Sequence, residues 1–450
     1  MSIDANPSIK EIATTFGDTP PYSMSELYGL NFSSGNAVTS GTISLSGFRN
    51  KTVETLLDET KLFLTDGDAD DRFGTSVSIS SDGSTALVGA WVDSGVSAAY
   101  IFEKVNGTWT RLARLTNNQS NSDFGYDVSI SSDGSTALVG AYDGDTWGTA
   151  YIFEKPANGW TDTSTYAARL TTNNGSASPD FGFTVSISGD GSTAVSATRQ
   201  ENSDTGAVYI FEKGSSWSNM TPTAKLTASD GASGDFFGYD VSISSDGSTI
   251  LVGGWGYDNP PGKAYIYEKG SGWTNTSAYT SKLVPSDQGT SSDYFGRSVS
   301  ISGDGSTALV GADKINAAYI FEKGSSWSST TAETAKLTPS YGNSWEAFGI
   351  SVSISSDGST SLIGTHVTSS PGHAFIFEKP VSGWTSTSTH TTLLTASDGV
   401  NDNKYGMATS LSGDGSTISV GARRDSFSID GIYRYNRGSA YIYEPSYFVS

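Results

Sequence analysis

The sequence predicts an all-β fold: a seven-bladed β-propeller of four-stranded blades, its ring closed by an N-terminal strand, with a short N-terminal extension ahead of it. Three observations predict it. One motif recurs seven times, each copy alternates apolar and polar residues as a strand does, and the last copy lacks a strand that is found instead before the first.

The motif reads F-G-x-x-V-S-I-S-x-D-G-S-T-x-x-V-G, then a variable stretch, then A-Y-I-F-E-K, then W-T and a closing K-L-T. Its first glycine falls at Gly74, Gly125, Gly182, Gly238, Gly296, Gly349 and, with Tyr405 in place of Phe, at Gly406, so successive copies start 51 to 58 residues apart. In the first copy Val77-Ser78-Ile79-Ser80 alternates as a half-buried strand. Asp82-Gly83 then predicts a hairpin with a type I′ turn, which needs positive φ at both central residues. Ala86-Leu87-Val88-Gly89 reads as a strand buried on both faces, Tyr100-Ile101-Phe102-Glu103 as a third, and Trp109 to Leu115 as a fourth. The small residues after F-G and in V-G-A suit crowded inner strands near an axis.

A four-stranded unit of this size, repeated, is a propeller blade, and stacking blades in a circle buries the faces that one blade leaves open. The last copy stops at Tyr441-Ile442-Tyr443-Glu444, whereas Lys61-Leu62-Phe63-Leu64-Thr65 supplies an isolated K-L-x-x-T strand before the first copy. The two are expected to pair and close the ring. The division expected is residues 1–52 as an anchoring or docking segment and 53–450 as the propeller.

These motifs resemble the FG-GAP repeat of integrin α-subunit heads and their bacterial and viral relatives, over roughly residues 59–444. The resemblance implies the propeller fold and leaves function open, since propellers host many tasks. Integrin blades often carry a D-x-D-x-D-G calcium loop; here the corresponding link is only Ser-Ser-Asp-Gly-Ser-Thr or Ser-Gly-Asp-Gly-Ser-Thr, so the calcium sites do not carry over. The segment Pro21-Tyr22-Ser23-Met24-Ser25-Glu26-Leu27-Tyr28-Gly29, with Ser40 to Arg49, is similar to a short module of tailed-phage structural proteins, which implies a virion component. It has too few apolar residues for a core of its own and is expected to order against a partner or the propeller.

Lys and Arg total 26 against 47 Asp and Glu, a net charge of −21, which excludes nucleic acid and anionic membranes as partners. There is no Cys, hence no disulfide or thiolate metal site. No apolar run approaches the ~20 residues of a membrane helix. The stretch MSIDANPSIKEIATTFGD lacks a basic region followed by an apolar one, so no secretory signal is expected.

The links between first and second and between third and fourth strands are short and uniform; the others differ in every blade and share the opposite face. A ligand is therefore expected on the variable face, around Trp91, Trp147, Trp255, Trp345, His366, Arg423, Arg424, Tyr433 and Tyr435, although unconstrained loops also diverge by drift. The recurring Trp109, Trp160, Trp217, Trp273, Trp327 and Trp384 are expected to pack between blades. Asp66-Gly67-Asp68-Ala69-Asp70-Asp71 resembles the start of a calcium loop but lacks its glycine turn and distant Glu, and reads better as a solvated acidic loop. No metal or other cofactor is expected, Asp66, Asp68 and Asp70 being the nearest approach to a Ca²⁺ site. Asp123, Asp180, Asp235 and Asp293, just before F-G, are expected to cap the inner strand. His occurs only at His366, His373 and His390, no catalytic motif is present, and one Glu per blade makes a structural ladder, so no enzyme is expected.

The leading expectation is a non-enzymatic virion protein (tail, fibre or capsid appendage), made in the host cytoplasm. It would attach to other virion proteins through residues 1–50 within an oligomeric assembly and present the propeller to a host glycan or surface protein. A purely structural virion decoration, and a non-viral cell-surface adhesin or lectin, are the alternatives.

Overall fold

A computed structural model describes residues 31–32, 53–65, 71–91, 97–117, 119, 123–143, 148–172, 180–256, 262–287, 293–328, 330–340, 347–366, 371–429, 432–434 and 436–449. The chain divides into two compact units, Thr60–Ile442 and the paired chain ends Met1–Glu59 with Tyr443–Ser450. In the latter, Asn31–Phe32 runs parallel to Phe448 and Val449, and Tyr443 Oη donates to Glu59 Oε2 at 2.9 Å. Nearly all the segment likened to phage proteins lies outside the described residues.

The larger unit is the propeller. Six blades run in chain order from the inner strand outwards, beginning at Val77–Ile79, Phe124–Ile130, Val185–Ile187, Asp240–Ile243, Phe295–Ile301 and Ser351–Ile354. The seventh has Tyr405–Leu411, Ile418–Ala422 and Ser439–Val449, and its outer place is taken by the N-terminal strand Val53–Leu62. The closure has a side-chain signature. In the fourth blade Lys282 Nζ and Tyr265 Oη share the Asp230 carboxylate at 2.7 and 3.0 Å. In the fifth Lys336 and Tyr319 share Asp287. In the seventh the Tyr is Tyr441, the carboxylate Asp398, and the lysine Lys61, 2.6 Å away from the other end of the chain.

Each inner strand is a sheet edge, so its outer N–H groups need acceptors. The first Ser of V-S-I-S supplies one to the next blade: Ile130 N–H donates to Ser78 Oγ, and the relation repeats through Ser129, Ser186, Ser242, Ser300 and Ser353 until Ile79 N–H donates to Ser410 Oγ at 3.1 Å. That is a complete circle of seven. The apolar residues pack between blades rather than within them: Leu87, Ile101 and Leu115 of the first blade share a core with Phe124, Val139, Phe153 and Trp160 of the second. The recurring Trp residues lie in these inter-blade cores as expected. Only in the first blade does the Trp belong to the fourth strand, Thr108–Leu115; in the second to sixth its indole N–H instead donates to the carbonyl of that blade's turn glycine, as Trp160 Nε1 does to Gly134 at 3.1 Å. The Glu ladder is also present: Lys155 Nζ reaches Glu103 of the preceding blade at 2.6 Å, and four more such bridges follow.

The hairpin turn differs from expectation. Only its glycine has positive φ, 69° at Gly83, and the link has four residues, closed by Ser80 N–H to Thr85 O at 2.8 Å. The cause is the Asp side chain: Asp82 Oδ1 accepts from Ser80 Oγ at 2.6 Å and from Ser84 N–H at 3.0 Å, bonds that a two-residue type I′ turn has no residues to make. Burial works against these seven carboxylates, but the Ser hydrogen bonds outweigh it and hold each below the usual Asp pKa.

Candidate functional site

The Phe-Gly pair opens each inner strand with a tight turn. The residue after the glycine donates its N–H to the carbonyl three residues back, as Tyr126 does to Asp123 at 3.1 Å, and the glycine takes φ between 84° and 95°. The residue before Phe is also left-handed in all seven blades (Arg72, Asp123, Asp180, Phe236, Tyr294, Ala347 and Lys404). In the second, fifth and seventh blades the ladder shifts register here: Phe124 pairs with Ala141 but Val128 with Val139, so the residues between bulge out of the sheet.

In all seven blades this left-handed turn sets the next two residues at the axis. Thr75-Ser76, Tyr126-Asp127, Phe183-Thr184, Tyr239-Asp240, Arg297-Ser298, Ile350-Ser351 and Met407-Ala408 line one cavity of about 350 Å³, with Arg423 at its edge. These are the two x positions of F-G-x-x-V. The expectation of small residues there fails at the first position, where Tyr, Phe, Arg and Met point into the cavity, and holds at the second in five blades, as Ser, Thr or Ala. It holds for V-G, where a Cβ on Gly89 would lie 2.0 Å from the Gly125 carbonyl. At the opposite end of the inner strands the hairpin turns bond to one another, as Ser81 N–H does to Ser132 O and Gly413 N–H to Ser81 O, both at 2.9 Å.

The wall over the second to fourth blades is aromatic: Tyr126 and Phe183 have ring centroids 5.0 Å apart, Phe183 and Tyr239 5.4 Å. Arg199 lies 3.7 Å over the Phe183 ring and is neutralised by Asp180 at 3.0 Å. Burial pushes the Tyr126 hydroxyl up to about 12. Asp127 accepts from Ser76 Oγ, Val128 N–H and, across the blade gap, Val185 N–H at 2.7 Å; Asp240 accepts from Thr184 Oγ1, Val241 N–H and Val299 N–H, the last also at 2.7 Å. Both carboxyls face the cavity deep inside the ring. Burial raises both, Asp240 to about 7, with the charge of Asp127 adding to the effect and the N–H donors opposing it.

That shift has a consequence for stability. Between pH ~4, the unfolded value, and ~7, the folded chain holds a proton on Asp240 that the unfolded chain has released. Stability contributed by this group therefore falls as pH rises through that window. Urea unfolding between pH 4.5 and 8 should show it, and Asp240→Asn should flatten the slope. The turn aspartates, shifted the other way, act only below about pH 4.

Several of the sequence-predicted residues border this cavity. Trp91, half-buried, packs on Tyr126 with centroids 5.5 Å apart, under Arg72 at 4.2 Å. Trp255 packs among Tyr239, Tyr294 and Arg297. Arg423 lines the cavity itself. His366 contacts Lys404 Nζ, and burial followed by the Lys404 charge drives it down to about 4. Arg424 points to Asp402 at 3.2 Å and is exposed. Tyr433 pairs by its backbone with Ser428 in a short hairpin. Trp147, Trp345, Tyr435 and the acidic run Asp66, Asp68 and Asp70 lie outside the described residues. Of the Asp residues before F-G, Asp293 caps as expected, accepting from Phe295 N–H at 3.1 Å, but Asp180 and Asp235 pair with Arg199 and Lys263 instead, because each has in reach a cation at the end of a neighbouring strand. His390 lies against Phe375, 5.2 Å between centroids.

Sequence reasoning missed the axial pairs. The signal was there: inside a strand repeated almost unchanged, the first of these positions takes six residue types in seven copies and the second takes four.

A search of curated proteins finds no match to the chain. Six stretches, residues 57–102, 109–153, 165–211, 220–267, 278–325 and 389–443, match the family model described as FG-GAP repeat. They cover well over half of the 450 residues, and the chain belongs to the FG-GAP repeat family.

Proposed function

We propose that this is a non-enzymatic binding protein whose ligand enters the axial cavity from the variable face. One observation carries the reading. The repeat keeps its residues nearly constant where they build the ring and varies them where they line the cavity, which places a distinct set of aromatic, acidic and cationic groups on a rigid circular frame. Trp91, Trp255 and Arg423, at the starts of variable links, extend the same surface.

We further propose that the propeller is displayed on a virion, held by residues 1–52, and that it recognises a host glycan or surface protein. The likeness of Pro21–Gly29 and Ser40–Arg49 to phage structural proteins supports this, as does a net charge of −21 that keeps the particle surface from adhering to nucleic acid.

The labelled full chain should bind host cells or a glycan array. Phe183→Ser with Tyr239→Ser should weaken that binding by about tenfold or more, in keeping with truncation of buried aromatic anchors, with circular dichroism unchanged. Undiminished binding by the double variant would remove the axial cavity from consideration.

A further inference from the structure

Resting on the axial site just described, we propose that its ligand is a pyranose carrying a carboxylate, the carboxylate held by Arg423 and the ring lying against the wall of Tyr126, Phe183 and Tyr239.

The chain is acidic overall, with a net charge of −21, yet cations gather at this mouth. Most already have a carboxylate: Arg199 has Asp180, Arg297 has Asp313 at 2.8 Å, and Lys404 and Arg424 share Asp402. Arg423 differs. Among the described residues it has no hydrogen bond or ion pair, although it is half-buried and lines the cavity. Burial lowers its pKa, Tyr126 opposes the shift, and the charges of Arg424 and Arg72 add to it. A guanidinium in that position is stabilised by an incoming anion, and its planar fork of donors fits a carboxylate through two parallel bonds.

The rest of the cavity suits a sugar ring. Asp127 Oδ2 and Asp240 Oδ2 each accept one N–H, from Val185 and Val299, which leaves each a lone pair for a ligand hydroxyl. At about 350 Å³ the space lies at the small end of ligand pockets, about 300–1,000 Å³. One unpaired guanidinium above two acidic groups matches a single negative charge. A phosphate dianion would bring a second negative charge that Arg423 alone does not neutralise, and a neutral sugar would leave Arg423 uncompensated.

The full chain would be titrated calorimetrically with glucuronic acid, galacturonic acid and N-acetylneuraminic acid, and with glucose and inorganic phosphate. At least one acid should bind about tenfold or more tighter than glucose or phosphate, and Arg423→Ala should abolish that preference while Arg423→Lys keeps part of it. Without ligand, Arg423→Ala should melt close to the parent, because the substitution removes an uncompensated charge and no hydrogen bond or ion pair. Acids binding no better than glucose, tightest binding by phosphate, or a preference untouched by Arg423→Ala would overturn the inference. If glucose binds as well as the acids and the Phe183→Ser, Tyr239→Ser variant loses it, the axial site stands and the carboxylate does not. If no sugar binds and cell-surface binding also ignores that double variant, both fall.

Discussion

Gly125→Ala should lower the unfolding free energy by about 3 kcal/mol: about 1–2 from the left-handed backbone and the remainder from overpacking. Gly125 has φ 85°, and a Cβ there would lie 2.3 Å from the Ala98 carbonyl and 3.2 Å from Ala90 N. Those are backbone atoms of the preceding blade, held by its own ladder, so the methyl can be relieved only by moving one blade away from the next. Gly159 separates the two contributions. Its φ is 95°, but nothing lies within 4 Å of an added Cβ, so Gly159→Ala should show only the backbone part, about 1 kcal/mol. Thermal and urea unfolding of the two variants, followed by circular dichroism, would check the ranking; equal losses would mean that blade spacing is not set by this glycine. The third blade shows how the spacing can be relaxed. Ala197 stands there in place of the V-G glycine, and the nearest atom to a Cβ on Gly238 is the Ala197 methyl at 2.8 Å, where the other Phe-Gly glycines meet a carbonyl at 2.2–2.5 Å. A methyl on that side is accommodated where the φ is ordinary, which makes Gly89→Ala the milder of the two substitutions within one glycine pair.

The ring was legible in the sequence because a repeat states each constraint seven times. Asp82-Gly83 and its six counterparts mark the hairpins, and Lys61-Leu62 stands where a blade lacks its last strand. What was not legible has two physical causes. First, a side chain can take over the work of the backbone: Asp82 bonding Ser84 N–H converts the expected two-residue turn into a four-residue one, and residue types alone do not say which competitor wins. Second, a period of two assigns residues to the faces of a sheet but not to the axis around which sheets are set. Tyr126 and Asp127 look like strand residues with alternate facings; the left-handed Asp123 and the bulge between Phe124 and Val128 turn them into the cavity. Three of the residues chosen for their place in variable links, Trp91, Trp255 and Arg423, lie beside or on that cavity because each follows the second strand of its blade, which ends beside the start of the inner strand, where the axial pairs sit. Trp91 and Trp255 are half-buried against neighbouring rings rather than exposed, so much of their apolar area serves the packing of Tyr126 and Tyr239.

Removal of residues 1–65 should leave no cooperatively folded propeller, whereas removal of residues 1–52 should leave the melting temperature of the ring unchanged. The difference is the strand Val53–Leu62 and the two leucines at its end. Leu62 and Leu64 are 4% and 2% exposed and share a core with Phe73, Val88 and Ile442, so their loss costs about 2–5 kcal/mol each on the scale of buried Leu→Ala substitutions. The same cut strips the outer strand from Ser439–Val449 and exposes an unpaired edge, the usual template for aggregation. It also removes Lys61, whose Nζ lies 2.6 Å from Asp425, a carboxylate 1% exposed. Lys61→Met removes the cation without the strand, from Asp398 as well as from Asp425: a buried charge stripped of its counter-ion costs about 3–5 kcal/mol, so this one substitution should rival the loss of a leucine. Differential scanning calorimetry of the three proteins would order them. A ring that still melts cooperatively at its original temperature without residues 53–65 would show that the first and seventh blades hold together through their inner strands alone, by bonds such as Ile79 N–H to Ser410 Oγ. The shorter deletion tests the docking role as well: if residues 1–52 attach the propeller to a particle, that protein should fold, bind its ligand and fail to be incorporated.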